Sequence, residues 1–187
     1  MNIRLFGNKI FAPNKCGTRY LQFIFSHQQF THLFLPKIDN ECYFIIREPL
    51  EHLKSALHTE LYNIVEKDDF EKKLDNFISD VGTIHYVHNL YHTIYLYKQK
   101  NLNCNIVQLS NLSNLIQTLG YNIPYNKENY DFSKEYTNYI DKDTFFNKIK
   151  EKHKNKILVL EEYVIKQQIW YNKLITNDIN NINKQII

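Results

Sequence analysis

The chain is expected to fold as a three-layer α/β structure, a mainly parallel sheet flanked by helices, and three observations lead there. Short apolar runs at residues 9–12, 32–35, 42–46 and 105–109 have the length and composition of buried strands. Segments with apolar residues at helical spacing lie between them. Strands alternating with helices along a chain favour parallel pairing with crossover helices on the sheet faces.

Taken in order, the first run stops at Pro13, as a buried strand feeding a loop would. Residues 18–30 carry Leu21, Ile24, Phe25 and Gln28 at helical spacing. The run at 32–35 ends at Pro36. The run Cys42-Tyr43-Phe44-Ile45-Ile46 is the strongest strand signal and ends at Arg47. Pro49 suits the first turn of a helix continuing through Leu53, Leu57 and Leu61. Residues 68–100 are helical in pattern, with Gly82 as a break. After the strand at 105–109, Leu112, Leu115, Ile116 and Leu119 predict a helix stopped by Gly120. Residues 121–141 read as a polar surface connection, and 144–175 as helix again. No internal repeat is present. The organisation is one domain over 1–187, with residues 1–120 as the core and 121–187 as connection and C-terminal helices.

Composition excludes several classes. With 187 residues, 43% hydrophobic and 14% aromatic, the chain is neither disordered nor fibrous. A net charge of +3, evenly spread, gives no basis for nucleic-acid binding. No stretch approaches the roughly 18 apolar residues of a membrane span. The N-terminus lacks the apolar run and small-residue cleavage site of a signal peptide. Cys16, Cys42 and Cys104 are odd in number and widely spaced, so they read as free thiols in a reducing compartment. A cytoplasmic location follows as the expectation.

The segment Pro13-Asn14-Lys15-Cys16-Gly17-Thr18-Arg19-Tyr20-Leu21 follows a strand and opens a helix. Backbone N–H groups at such a junction attract anions, glycine permits close backbone approach, and Lys15 and Thr18 add a charge and a hydroxyl. A Walker loop would place lysine after the last glycine; here it precedes it. A basic turn capping an ordinary helix is the competing account. Further on, Arg47-Glu48-Pro49 closes a strand, and Ser55 follows Arg47 by eight residues. Arginine at the strand end and serine about two turns into the next helix can converge on one phosphate. A plain surface ion pair of Arg47 with Glu48 or Glu51 is the alternative.

Lys15-Cys16-Gly17-Thr18-Arg19 resembles the 5′-phosphosulfate loop of sulfotransferases that use 3′-phosphoadenosine-5′-phosphosulfate (PAPS), in the form seen in heparan-type enzymes. The stretch from Phe44 to Ser55 is similar to the 3′-phosphate segment of that family. The resemblance covers residues 9–57 and extends faintly to about 120, through Phe77-Ile78…His85 and Val107-Gln108-Leu109-Ser110. It implies a P-loop-like fold, PAPS as donor, no metal, and an acceptor hydroxyl or amine on a small molecule or glycan. Lys15 would hold the bridging oxygen of the phosphosulfate. Cys16, Gly17, Thr18 and Arg19 would form the 5′-phosphate cradle, and Arg47 with Ser55 the 3′-phosphate site.

Thr31-His32-Leu33 resembles the Thr-His-Leu stretch of cytosolic sulfotransferases, which implies His32 as the base for the acceptor proton. Two departures stand beside it: Phe30 occupies the place of the family's catalytic lysine, and the spacing from His32 to Arg47 is short. A histidine merely packed at a strand start is the bland account. His85, His88 and His92, at i, i+3 and i+7, share a helix face that would line the acceptor side, offer His85 as a rival base, or form a metal site. Two other functions stay open: a non-catalytic nucleotide-binding module of the same fold, and a small nucleotide or nucleoside kinase.

Overall fold

The computed structural model describes residues 3–7, 9–25, 28–31, 40–62, 69–80, 90–121 and 140–185. Five strands are present: β1 (Ile3–Phe6), β2 (Ile10–Pro13), β3 (Gln28–Thr31), β4 (Cys42–Ile46) and β5 (Cys104–Gln108). The helices are α1 (Thr18–Ile24), α2 (Pro49–Leu61), α3 (Phe70–Asp80), α4 (Leu90–Lys100), α5 (Leu112–Thr118), α6 (Lys142–Lys152) and α7 (Lys154–Gln185). The chain is therefore a mixed α/β protein.

The strands form one sheet in the order β3-β1-β2-β4-β5. β2, β4 and β5 are parallel neighbours, while β1 is antiparallel to both β2 and β3. Only β1 opposes the common direction. This hairpin was not anticipated. Gly7, at φ 53, turns the chain between β1 and β2, and the Lys9 N–H closes on the Phe6 carbonyl at 3.2 Å.

Side chains alternate across the sheet and bury both faces. Ile3, Leu5, Phe11, Phe44 and Ile46 pack against Tyr91, Ile94 and Tyr97 of α4 and Tyr171 and Leu174 of α7. Phe6, Ile10, Ala12 and Ile45 pack on the opposite side against Leu21 of α1 and Leu112 and Ile116 of α5. A second core joins α2, α3, α6 and the first half of α7 through Leu57, Leu74, Phe145 and Leu160.

Two expectations change. Helical spacing predicted α1 through residue 30, but the helix ends at Ile24. Phe25 is extended at φ −108, ψ 112, and residues 28–31 pair with the outer edge of β1. An open sheet edge outweighs the weak local pattern there. The C-terminal helical region divides at His153 (φ −128, ψ 42) into α6 and α7. The strand predicted at 32–35 lies outside the described residues, as do Gly82 and the connection at 122–139. Elsewhere β4 spans the predicted run, Pro49 is the first residue of α2, and Gly120 stands at φ 81 just past α5.

Candidate functional site

From the carboxyl end of β2 the chain travels outward to β3; from the neighbouring β4 it travels the other way to β5. Adjacent parallel strands whose connections diverge leave a crevice beyond their carboxyl ends, where α/β sheets bind ligands. Pro13 and Arg47 stand at those two ends.

After Pro13 the chain makes a tight turn, with the Cys16 N–H donating to the Pro13 carbonyl at 3.0 Å. Two residues of this turn are left-handed: Lys15 at φ 65 and Gly17 at φ 79. Lys15 is the sole non-glycine residue with positive φ among the described ones. That conformation costs a side-chain-bearing residue about 1 kcal/mol or more. The N-terminal turn of α1 follows, its first bond running from the Leu21 N–H to the Gly17 carbonyl at 3.0 Å. Thr18 is nearly buried.

Gly17 is required by its φ and also by packing. A Cβ there would lie 2.6 Å from Leu112 Cδ2 and 2.9 Å from Leu109 Cδ1. The space belongs to the start of α5 and the turn before it, so the glycine seats the loop on the protein. The Cys16 side chain belongs to the core between α1 and α5. Burial pushes its thiol up to about 12, against the opposing pull of the Arg47 charge, so it is neutral. With its thiol in the core and its N–H bonded to the Pro13 carbonyl, Cys16 serves to shape and seat the loop.

Arg47 connects the two segments. Its Nη1 donates to the Lys15 carbonyl at 3.0 Å, and its Nη2 lies 4.0 Å from Glu51. Glu51 also pairs with Lys54 at 3.2 Å and with Lys142 from α6, and Lys54 reaches Asp143 at 2.6 Å. Burial pushes the Glu51 carboxyl up, but hydrogen bonds from Lys142 and Lys54 outweigh it and hold the group below its ordinary range. Glu48 caps α2 by accepting the Glu51 N–H at 2.8 Å. Ser55, half-buried on α2, sits one turn beyond His52.

His52 was not singled out by sequence reasoning. It is 1% exposed, and its Nε2 lies 2.8 Å from the Asn14 carbonyl. A carbonyl only accepts, so Nε2 carries the proton. Burial brings the ring pKa down to about 4; the Asn14 hydrogen bond works the other way, and the charges of Arg47 and Lys15 lower it further. Tyr91 of α4 donates its hydroxyl to the Arg47 carbonyl, and its hydroxyl oxygen lies 3.4 Å from His52 Nδ1. A histidine five residues past Arg47, at helical spacing between Pro49 and Ala56 on the apolar side of α2, was the signal available for it.

Of the residues predicted for the site, the structure brings together Lys15, Cys16, Gly17, Thr18 and Arg47, with Arg19 in the first turn of α1. His32, His85 and His88 lie outside the described residues. Phe30 is in β3, opposite Arg4. His92 packs on Trp170 with ring centroids 4.2 Å apart. Lys156 pairs with Glu71 and Asp75 of α3. Among the described residues no group of three His, Cys, Asp or Glu is placed to hold a metal ion, and no helix is long and apolar enough to cross a membrane. Set against known proteins, the chain matches no family model, no curated protein and no solved structure at a significant level.

Proposed function

We propose that this chain has a P-loop-like sulfotransferase fold, binds PAPS at the β2 and β4 strand ends, and transfers its sulfuryl group to an acceptor hydroxyl or amine. The observation that carries the reading is the Arg47–Lys15 hydrogen bond. It joins the two segments that resemble the family's phosphate sites into one cationic locus at a topological switch point. The left-handed Lys15 supports it, because backbone strain is concentrated where function over-determines the conformation.

PAPS supplies the activated sulfuryl group; the chain supplies position and charge. Lys15 puts positive charge beside the leaving phosphate. The N–H groups of Gly17, Thr18 and Arg19 face the 5′-phosphate at the start of α1. Arg47 has donors beyond the one given to Lys15, and with Ser55 these meet the 3′-phosphate. His32 takes the acceptor proton. The acceptor is a small molecule or glycan. Three free, buried cysteines support a cytoplasmic setting.

A binding module without turnover is favoured by one observation: Phe30 takes the place of the family's lysine. Transfer assays with PAPS and a panel of phenolic, amine and sugar acceptors test the main reading. Lys15→Ala abolishes transfer and Arg47→Ala weakens nucleotide binding; normal turnover in both removes the assignment. Bisphosphate binding with no transfer to any acceptor selects the module.

A further inference from the structure

The loop hangs on the β4–α2 segment by two consecutive carbonyls. The Asn14 carbonyl meets His52 Nε2 at 2.8 Å, and the Lys15 carbonyl meets Arg47 Nη1 at 3.0 Å. The Arg47 carbonyl is in turn held by the hydroxyl of Tyr91 in α4, which also lies 3.4 Å from His52 Nδ1. We propose that His52 is a positioning residue, a latch that fixes the Asn14–Lys15 peptide so that both phosphate segments engage a nucleotide as one unit. The inference deepens the nucleotide reading above and rests on it for the ligand.

Packing alone does not call for a histidine here. The buried face of α2 otherwise consists of Pro49, Leu53, Ala56, Leu57 and Leu61, and a leucine would fill the position without a polar group to satisfy. The imidazole is tolerated because its one N–H has a partner, and that partner is the loop. In a trans peptide the N–H points opposite the C=O, so tying down the Asn14 carbonyl also sets the direction of the Lys15 N–H. It fixes the entry into the left-handed Lys15, whose side chain then leaves the loop in one direction. His52 stands one helical turn before Ser55, so α2 carries the latch and the proposed 3′-phosphate serine on neighbouring positions. The latch touches neither phosphate; it acts through Asn14 and Lys15.

The test uses adenosine 3′,5′-bisphosphate as the probe, with calorimetry and amide hydrogen exchange on wild type, His52→Leu and His52→Gln. Glutamine keeps an N–H near the position of Nε2. His52→Leu is expected to weaken the bisphosphate about tenfold and to speed exchange of amides 15–17, and His52→Gln to recover most of both. In a Lys15→Ala background the same leucine change is expected to add little, a non-additivity that a general loss of packing would not produce. Equal affinity and equal loop exchange in a folded His52→Leu protein overturn the latch. If His52→Leu does not fold, nitrogen-15 NMR of the wild type decides. The His52 ring N–H is expected to exchange more slowly as bisphosphate is added, and unchanged exchange on a saturated protein overturns the proposal. A wild type that binds no bisphosphate, with amides 15–17 still loosened by His52→Leu, removes the nucleotide reading and upholds the latch.

Discussion

The Arg47 guanidinium donates to the Lys15 carbonyl at 3.0 Å, across 32 residues of sequence. The bond makes Arg47 both a candidate ligand and a strut for the loop. Arg47→Lys keeps the charge but loses the planar fork, so it cannot serve the carbonyl and a phosphate together. Arg47→Ala is expected to cost bisphosphate binding roughly 10- to 100-fold, and Arg47→Lys to remain well short of wild type. Calorimetric titration of the three proteins checks the order.

Lys15 pays for its backbone as well as supplying a charge. At φ 65 a glycine would be free of the Cβ clash, whereas alanine would keep it. Lys15→Gly is therefore expected to equal or exceed wild type in stability, by up to about 1 kcal/mol, with Lys15→Ala below it. On the proposed function both are expected to lose sulfuryl transfer. Urea melts beside transfer assays would show stability and activity moving apart.

Gly17→Ala meets two obstacles at once, a left-handed φ of 79 and contacts of 2.6 and 2.9 Å with Leu112 and Leu109. The expected loss is about 2 kcal/mol or more. Trimming Leu112 to alanine in the same chain should recover part of the steric share and none of the backbone share. Thermal melts of the single and double variants measure the split.

His52 makes stability depend on pH. Its pKa is held near 4 in the folded protein, against an ordinary 6.5. Between those values the unfolded chain binds a proton that the native ring excludes, so stability rises with pH through this window. It is complete above about 6.5 and falls by about 3 kcal/mol as pH drops to about 4. His52→Gln is expected to flatten this part of the profile. Urea titrations at intervals between pH 4 and 7 follow it, with the contribution of Glu51, whose carboxyl is held below its ordinary range, subtracted.

Under the proposed function, a variant of His32 is expected to separate binding from turnover. If it takes the acceptor proton, His32→Ala leaves bisphosphate affinity within about twofold of wild type and lowers transfer by a factor on the order of 100 or more. Loss of affinity in that variant would instead make His32 part of the nucleotide pocket.

Much of the fold was legible because it is written in short-range chemistry. The run Cys42–Ile46 has no polar interruption, Pro49 can only begin a helix there, and Gly120 takes the left-handed turn that ends α5. β1 escaped because four residues carry little periodicity, although the Gly7-Asn8 pair before Lys9 was a hairpin signal. β3 escaped because Gln28–Thr31 is a strand by virtue of the β1 edge beside it. In the site, residue spacing pointed to Lys15, Gly17 and Arg47. It could not show that Gly17 answers to Leu109 and Leu112, nor that His52 and Tyr91 brace the loop and Arg47. Those relations join residues tens of positions apart and exist only after the sheet and helices have packed.

The central claim is that one nucleotide spans the Lys15 loop and Arg47. A crystal structure of the chain with adenosine 3′,5′-bisphosphate tests it most directly. The account predicts the 5′-phosphate against residues 15–19 and the 3′-phosphate against Arg47 and Ser55. A nucleotide seated elsewhere, or no complex at millimolar concentration, would contradict it.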